Sequence, residues 1–252
     1  DVPLPAHGAA PHAILEQLDV LGSPATVTMA GGRYFGFVNG SSFPVTVATN
    51  WLATAWDQNA ALHVMSPTVA TLESVALRWT LEALRLPPTA AGAFVVGATM
   101  ANFTALAAAR HAVLARAGWD VDERGLHDAP PVTVVVGAEV HSTVRRVLGL
   151  LGFGRTRTID LPVDGQGRIV ATDLPRLDGP AILCIQAGNV NTGACDPLEA
   201  VAELGRCGRS VLRTNPFQCS GHGRKFLQPG DVCEVEIEGL GVLTNPVVSQ
   251  KP

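Results

Sequence analysis

Lysine is almost absent. The 252-residue chain has only Lys225 and Lys251, and residues 1–224 contain none. Chemistry that needs a lysine amine therefore has no donor in the first 224 residues. Aromatic residues make up 5% of the chain, so Ala, Val and Leu must fill the core instead. No apolar run reaches the 18 residues of a membrane-spanning helix, and none is expected. The stretch "DVPLPAHGAAPH" lacks a charged segment followed by an apolar one, so it does not read as a signal peptide. There is no basic stripe, and the net charge is −4, which argues against a nucleic-acid partner. The five cysteines, Cys184, Cys195, Cys207, Cys219 and Cys233, form no C-x-x-C pair and are odd in number. A reduced, cytoplasmic protein is expected rather than a disulfide scaffold.

Hydrophobic residues, at 47%, suffice for one large core or two modest ones. "AILEQLDVL" and residues 45–61 carry helical spacing. "SPTVATLESVALRWTLEALRL" reads as a helix capped by Ser66, with Pro67 in its first position and Pro87–Pro88 as a stop. "GAFVV" reads as a strand that turns through Gly97-Ala98-Thr99 into a long Ala-rich helix. "PVTVVVGAEV", "TRTIDLPV" and "AILCIQA" are further strands, while "HSTVRRVLGLLGF" and "DPLEAVAEL" are helices. This alternation predicts an α/β fold with a mainly parallel sheet. After Arg206 the period is lost, until "DVCEVEIEGLGVLTNPVV" alternates in steps of two about a Gly-Leu-Gly turn, the pattern of a β-hairpin.

Three strand ends lead into polar segments. In a parallel sheet such ends line the ligand crevice. "VVGATMANFTAL" would leave backbone N–H groups free at a helix N-terminus, where an anion is stabilised, with Thr99 and Asn102 as added donors. His141 follows the "VVV" strand; a satisfied surface histidine is the plain alternative. "CIQAGNVNTGACDP" is the third strand end.

Together, "SPTVATLE", "GATMANFTAL", "HSTVRRVLGLLG" and "QAGNVNTGACDP" resemble the group II pyridoxal-phosphate-dependent decarboxylases over roughly residues 10–205. The resemblance implies the large domain of fold-type I enzymes, in truncated form, with its active site at a homodimer interface. It further implies that Ala98 and Thr99 grip the phosphate of pyridoxal phosphate (PLP). His141 would stack on the pyridine ring, and Thr192 would border it.

The family pattern then requires a strand bearing His-Val-Asp-Ala, whose Asp holds the pyridinium nitrogen, and later a His-Lys pair whose Lys forms the Schiff base. "GRCGRSVLRTN" follows instead, and neither motif occurs in this chain. Lys225 and Lys251 stand in other contexts. Ordinary decarboxylase activity is not expected, nor is covalently held PLP. The tail, residues 222–249, resembles the C-terminal end of the fumarylacetoacetate-hydrolase family, whose metal-binding carboxylates would lie upstream and are missing. The expected organisation is a decarboxylase-like domain at 1–205, a junction at 206–221 and a β-hairpin tail of unrelated origin at 222–252, as in a chimera of two gene fragments.

Two functions follow as expectations. The first is an adventitious hydrolase of activated esters, phosphotriesters included, acting on a small molecule in a cofactor cavity opened to water. A divalent metal, zinc foremost, would activate the water. His63 and His141 would be catalytic, the metal ligands would be drawn from His63, His141, Cys219, His222 and Asp196, and Glu73 would be a further carboxylate. Ser142 or a cysteine is the nucleophilic variant, although no G-x-S-x-G elbow is present. The second is a non-catalytic remnant that binds PLP or phosphate through Ala98, Thr99, Asn102, His141 and Thr192.

Overall fold

A computed structural model describes residues 3–31, 34, 42–84, 86, 90–175 and 177–197, together with strands at 210–214, 232–237 and 241–246. The chain divides into two compact units, Asp1–Val95 and Val96–Pro252.

The first unit carries three helices, α1 (Pro11–Gly22), α2 (Pro44–Trp56) and α3 (Pro67–Ala83). Each begins with a proline in its first turn, where the missing N–H costs nothing. Ser66 does stand at the N-cap of α3, but its side chain makes no cap bond, contrary to the sequence expectation. Its hydroxyl is buried without a partner. None of the three helices has a buried residue. Ile14, Leu18 and Leu21, spaced to share one face of α1, are all exposed, as are Trp51 and Trp56 on α2.

The second unit is built on a parallel sheet of β1 (Thr133–Gly137), β2 (Thr158–Leu161), β3 (Ala181–Gln186) and β4 (Ser210–Thr214), in the order β2-β1-β3-β4. Helices α4 (Gly97–Arg116), α5 (Val121–Arg124) and α6 (Ser142–Leu150) belong to the same unit, and α6 makes the crossover between β1 and β2. Successive residues of a strand point to opposite faces, and here both faces are covered. Val134, Val136, Ile182 and Cys184 join Leu106, Val113 and Leu114 of α4 and Val144, Val147 and Leu148 of α6 in one cluster. Val135, Leu183 and Ile185 pack with Leu161 and Ile169 on the other face. Burial on both sides explains why β1 and β3 read as unbroken apolar runs rather than alternating ones. Leu148 is fully buried in the larger cluster. Leu148→Ala is expected to cost about 2–5 kcal/mol of stability in a urea titration, through lost burial and the cavity left behind.

Two sequence expectations change and a third is met. "GAFVV" forms no strand: Phe94, Val95 and Val96 are exposed, and no described strand lies alongside to accept their backbone hydrogen bonds. The stretch 206–221 is more than a connector, since it supplies β4, which pairs in parallel with β3 from Ile182↔Ser210 to Gln186↔Thr214. The hairpin forms, β5 (Val232–Ile237) pairing antiparallel with β6 (Gly241–Pro246), but as a sheet of its own. The helix expected over "DPLEAVAEL" falls mostly on residues 198–204, outside the described ones.

Candidate cofactor site

The site lies at the C-terminal edge of the parallel sheet, where the strand ends open a crevice. Helix α4 begins there. Gly97 has φ +76°, and a Cβ at that position would meet nothing within 4 Å. The first turn of α4 has no side-chain cap and no acidic residue. Its leading N–H groups have no intrahelical acceptor, and the positive end of the helix dipole lies beside the open space at Gly97. Ala98 and Thr99, half-buried, supply two of these groups.

His141 reaches the same edge from β1. A tight turn, with Val140 N–H donating to the Gly137 carbonyl at 2.9 Å, ends the strand and delivers His141 to the N-cap of α6. Its ring, rather than a Ser or Asp side chain, caps that helix: the Thr143 N–H donates to Nδ1 at 3.2 Å. The Thr143 hydroxyl lies 2.7 Å from the same nitrogen. Asn102 was expected as a donor to a bound anion. The structure instead directs its amide to the Thr143 hydroxyl, at 3.0 Å, so that it bridges α4 and α6.

The loop after β3 forms the third side. Thr192 is exposed, and its hydroxyl donates to the Gln166 carbonyl at 2.7 Å. Asn189 is buried and donates to Glu139 Oε2 at 2.8 Å. Gly167 allows this pair to form. With φ +76°, it sits so close that an added Cβ would collide with the Asn189 amide and lie 2.6 Å from Glu139 Oε2. Gly167→Ala is expected to break the Asn189–Glu139 bond and cost about 1–3 kcal/mol, read as a lowered thermal midpoint.

Asp196 was expected among metal ligands. It is buried and holds the loop from below: Oδ1 accepts from the Ile169 N–H at 2.8 Å and Oδ2 from the Gln186 N–H at 2.6 Å. Burial raises its pKa, outweighing those two donors. A carboxylate already bound to main chain on both oxygens is a structural tie rather than an open ligand. Among the described residues no group of three or more His, Cys, Asp or Glu side chains could hold a metal ion. His63 and Glu73 are exposed in the first unit, whereas His141 belongs to the second. Cys219 and His222 lie outside the described residues. Of the nucleophilic alternatives, Ser142 is exposed beside His141, while the buried Cys184 thiol is pushed up to about 12 by burial and is inert at neutral pH.

Sequence reasoning missed the roles of Thr143, Asn189, Glu139 and Gly167. A signal existed for Thr143, because the second residue of a helix presents its N–H to the N-cap side chain, and His141 stands at that cap. None existed for the other three, which meet only through the fold.

A doubly covered parallel sheet, an uncapped helix N-terminus at its C-terminal edge and a ring-bearing residue at the next strand end have the architecture of part of a fold-type I PLP-enzyme domain. The chain belongs to the pyridoxal-dependent decarboxylase family, whose conserved domain matches residues 6–207. L-2,4-diaminobutyrate decarboxylase of Rhizobium meliloti (strain 1021) is 30% identical over 165 residues, 62% of this chain and 30% of that protein. Aromatic-L-amino-acid decarboxylase of Bacillus atrophaeus is 28% identical over 180 residues, 68% of this chain and 35% of that protein. The chain thus spans about a third of the length of these relatives. Among solved structures, the glutamate decarboxylase domain of a Vibrio parahaemolyticus protein superposes with a TM-score of 0.74 at 17% identity, covering 83% of this chain and 49% of that one. Oryza sativa TDC with PLP and tryptamine gives 0.69 at 22% identity, covering 84% and 48%. These two likenesses show the fold.

Proposed function

We propose that this chain binds PLP without a covalent bond and does not decarboxylate amino acids. The carrying observation is the uncapped N-terminus of α4 at Gly97–Thr99, joined through Asn102 and Thr143 to His141. The phosphate end and the ring face of PLP fit these residues. Ala98 and Thr99 N–H groups would hold the phosphate, His141 would lie against the ring, and the loop bearing Thr192 would close its edge.

The reactive end does not fit. When bound in a working decarboxylase, PLP supplies an electron-withdrawing ring, which needs a carboxylate at its nitrogen and a lysine at its aldehyde. The strand that follows β3 is β4, and it reads Ser-Val-Leu-Arg-Thr, with no acid. Residues 1–224 offer no lysine. No catalytic step is therefore assigned to this chain.

Titration with PLP and with pyridoxal tests the reading. PLP is expected to bind at least tenfold more tightly, because the helix terminus contributes only when the phosphate is present. Equal affinities would overturn it. The metal-dependent hydrolase has no comparable support, since no described group supplies three ligands.

The same reading includes a homodimer. The bare helices of the first unit are the observation that supports it, and the expected masses are given in the Discussion.

A further inference from the structure

The main-chain donor beside His141 gives a direction to the contacts that join it to Thr143 and Asn102. The Thr143 main-chain N–H can only donate, and it points at Nδ1 at 3.2 Å. Nδ1 therefore carries no hydrogen, and the neutral ring is the Nε2–H tautomer. With Nδ1 an acceptor, the 2.7 Å contact from Thr143 Oγ1 must be the hydroxyl donating to the ring. The hydroxyl hydrogen is then committed, so Oγ1 faces Asn102 as an acceptor, and the Asn102 Nδ2 donates to it at 3.0 Å. A flipped amide would set oxygen against oxygen. The order is Asn102 to Thr143 to His141, from the helix that opens the anion cradle to the ring at the next strand end.

We propose that Asn102 and Thr143 are positioning residues that lock the His141 ring in its Nε2–H tautomer and in one plane, tying it to the α4 cradle. This rests on the reading that His141 faces the PLP ring, and it reassigns Asn102 from a ligand of the phosphate to a support of the ring. Both side chains are half-buried, as is His141, so water competes weakly for their bonds. The two partners are 41 residues apart in the chain, so only the packed α4–α6 pair brings them together.

The experiment uses the full chain, cofactor-free, with 15N-labelled histidine. Two-bond 1H–15N spectra distinguish an Nε2–H ring from an Nδ1–H ring, and His141→Gln identifies the His141 signals. The wild-type ring is expected as Nε2–H, and Thr143→Ser should keep that signature. Thr143→Val keeps the main-chain donor but loses the hydroxyl, so the share of Nε2–H ring should fall without vanishing, with an about tenfold weaker PLP Kd, the effect of one lost partly buried hydrogen bond. Asn102→Ala should move both readouts the same way by less, and it provides the test if Thr143→Val does not fold. An Nδ1–H ring in the wild type would overturn the proposal, as would unchanged spectra and Kd in the folded variants. If the wild type shows no PLP binding but its His141 signature still responds to Thr143→Val, the functional reading fails while the positioning pair stands.

Discussion

Borohydride reduction of the PLP-saturated chain is expected to leave residues 2–224 without any pyridoxyl label. Peptide mass mapping reads this directly. Reduction traps PLP only where its aldehyde has condensed with a primary amine, and this segment has no lysine. The lysine amines that remain are those of Lys225 and Lys251. The same chain is expected to release carbon dioxide from glutamate, 2,4-diaminobutyrate or an aromatic amino acid no faster than free PLP does. Enzymes of ordinary power accelerate their reactions at least about 10⁶-fold, so the comparison leaves a wide margin. The expectation rests on the missing lysine and on the absence of an acid from β4, which reads Ser-Val-Leu-Arg-Thr. A label on Lys225 together with turnover well above free PLP would show that a residue outside the family pattern has replaced the missing amine.

The second large effect concerns assembly. Light scattering is expected to give twice the mass of one chain. Helices of 12 and 13 residues, such as α1 and α2, are marginal in water by themselves, and neither buries a residue. Trp51 is 71% exposed, Trp56 48% and Trp79 64%. Covering even half of a tryptophan side chain is worth about 2–3 kcal/mol. A second copy supplies the same apolar surface, and self-complementary pairing about a twofold axis is the commonest way to cover it. Trp51→Glu combined with Trp56→Glu is expected to yield monomers that have lost much of their helical circular dichroism. A wild-type monomer with full helicity would sink the expectation without any variant.

The two predictions rest on different kinds of information. The first is read from composition: a residue type that is missing cannot act, whatever the fold. The second needs the structure, because the apolar periodicity of α1 and α2 says only that one face wants cover, not whether the same chain provides it.

A similar division runs through the site. The start of α4 was legible because Gly97-Ala98-Thr99 is a local feature, in which a small-residue turn and a helix start lie within a few positions. His141 was legible as the end of an apolar strand. The bonds of Asn102 were not, because a side-chain amide has no preference visible in sequence between an anion and a hydroxyl on another helix. Asp196 misled for the same reason. A carboxylate after a strand looks like a ligand until the fold presents it with the Ile169 and Gln186 N–H groups.

By itself the sequence determined the buried strands β1 and β3, the helices started by Pro11, Pro44 and Pro67, the hairpin pairing of β5 with β6, and the lack of a lysine anchor in residues 1–224. These are set by side-chain period, backbone stereochemistry and composition, all of which act over a few residues. Only the tertiary structure decided that Phe94–Val96 would stand outside the described strands, that Ser210–Thr214 would become the fourth strand, and that Asn102 would meet Thr143. Each of these depends on which segments the sheet order brings side by side. A backbone or amide hydrogen bond goes to whichever partner lies within about 3 Å, however distant in the chain.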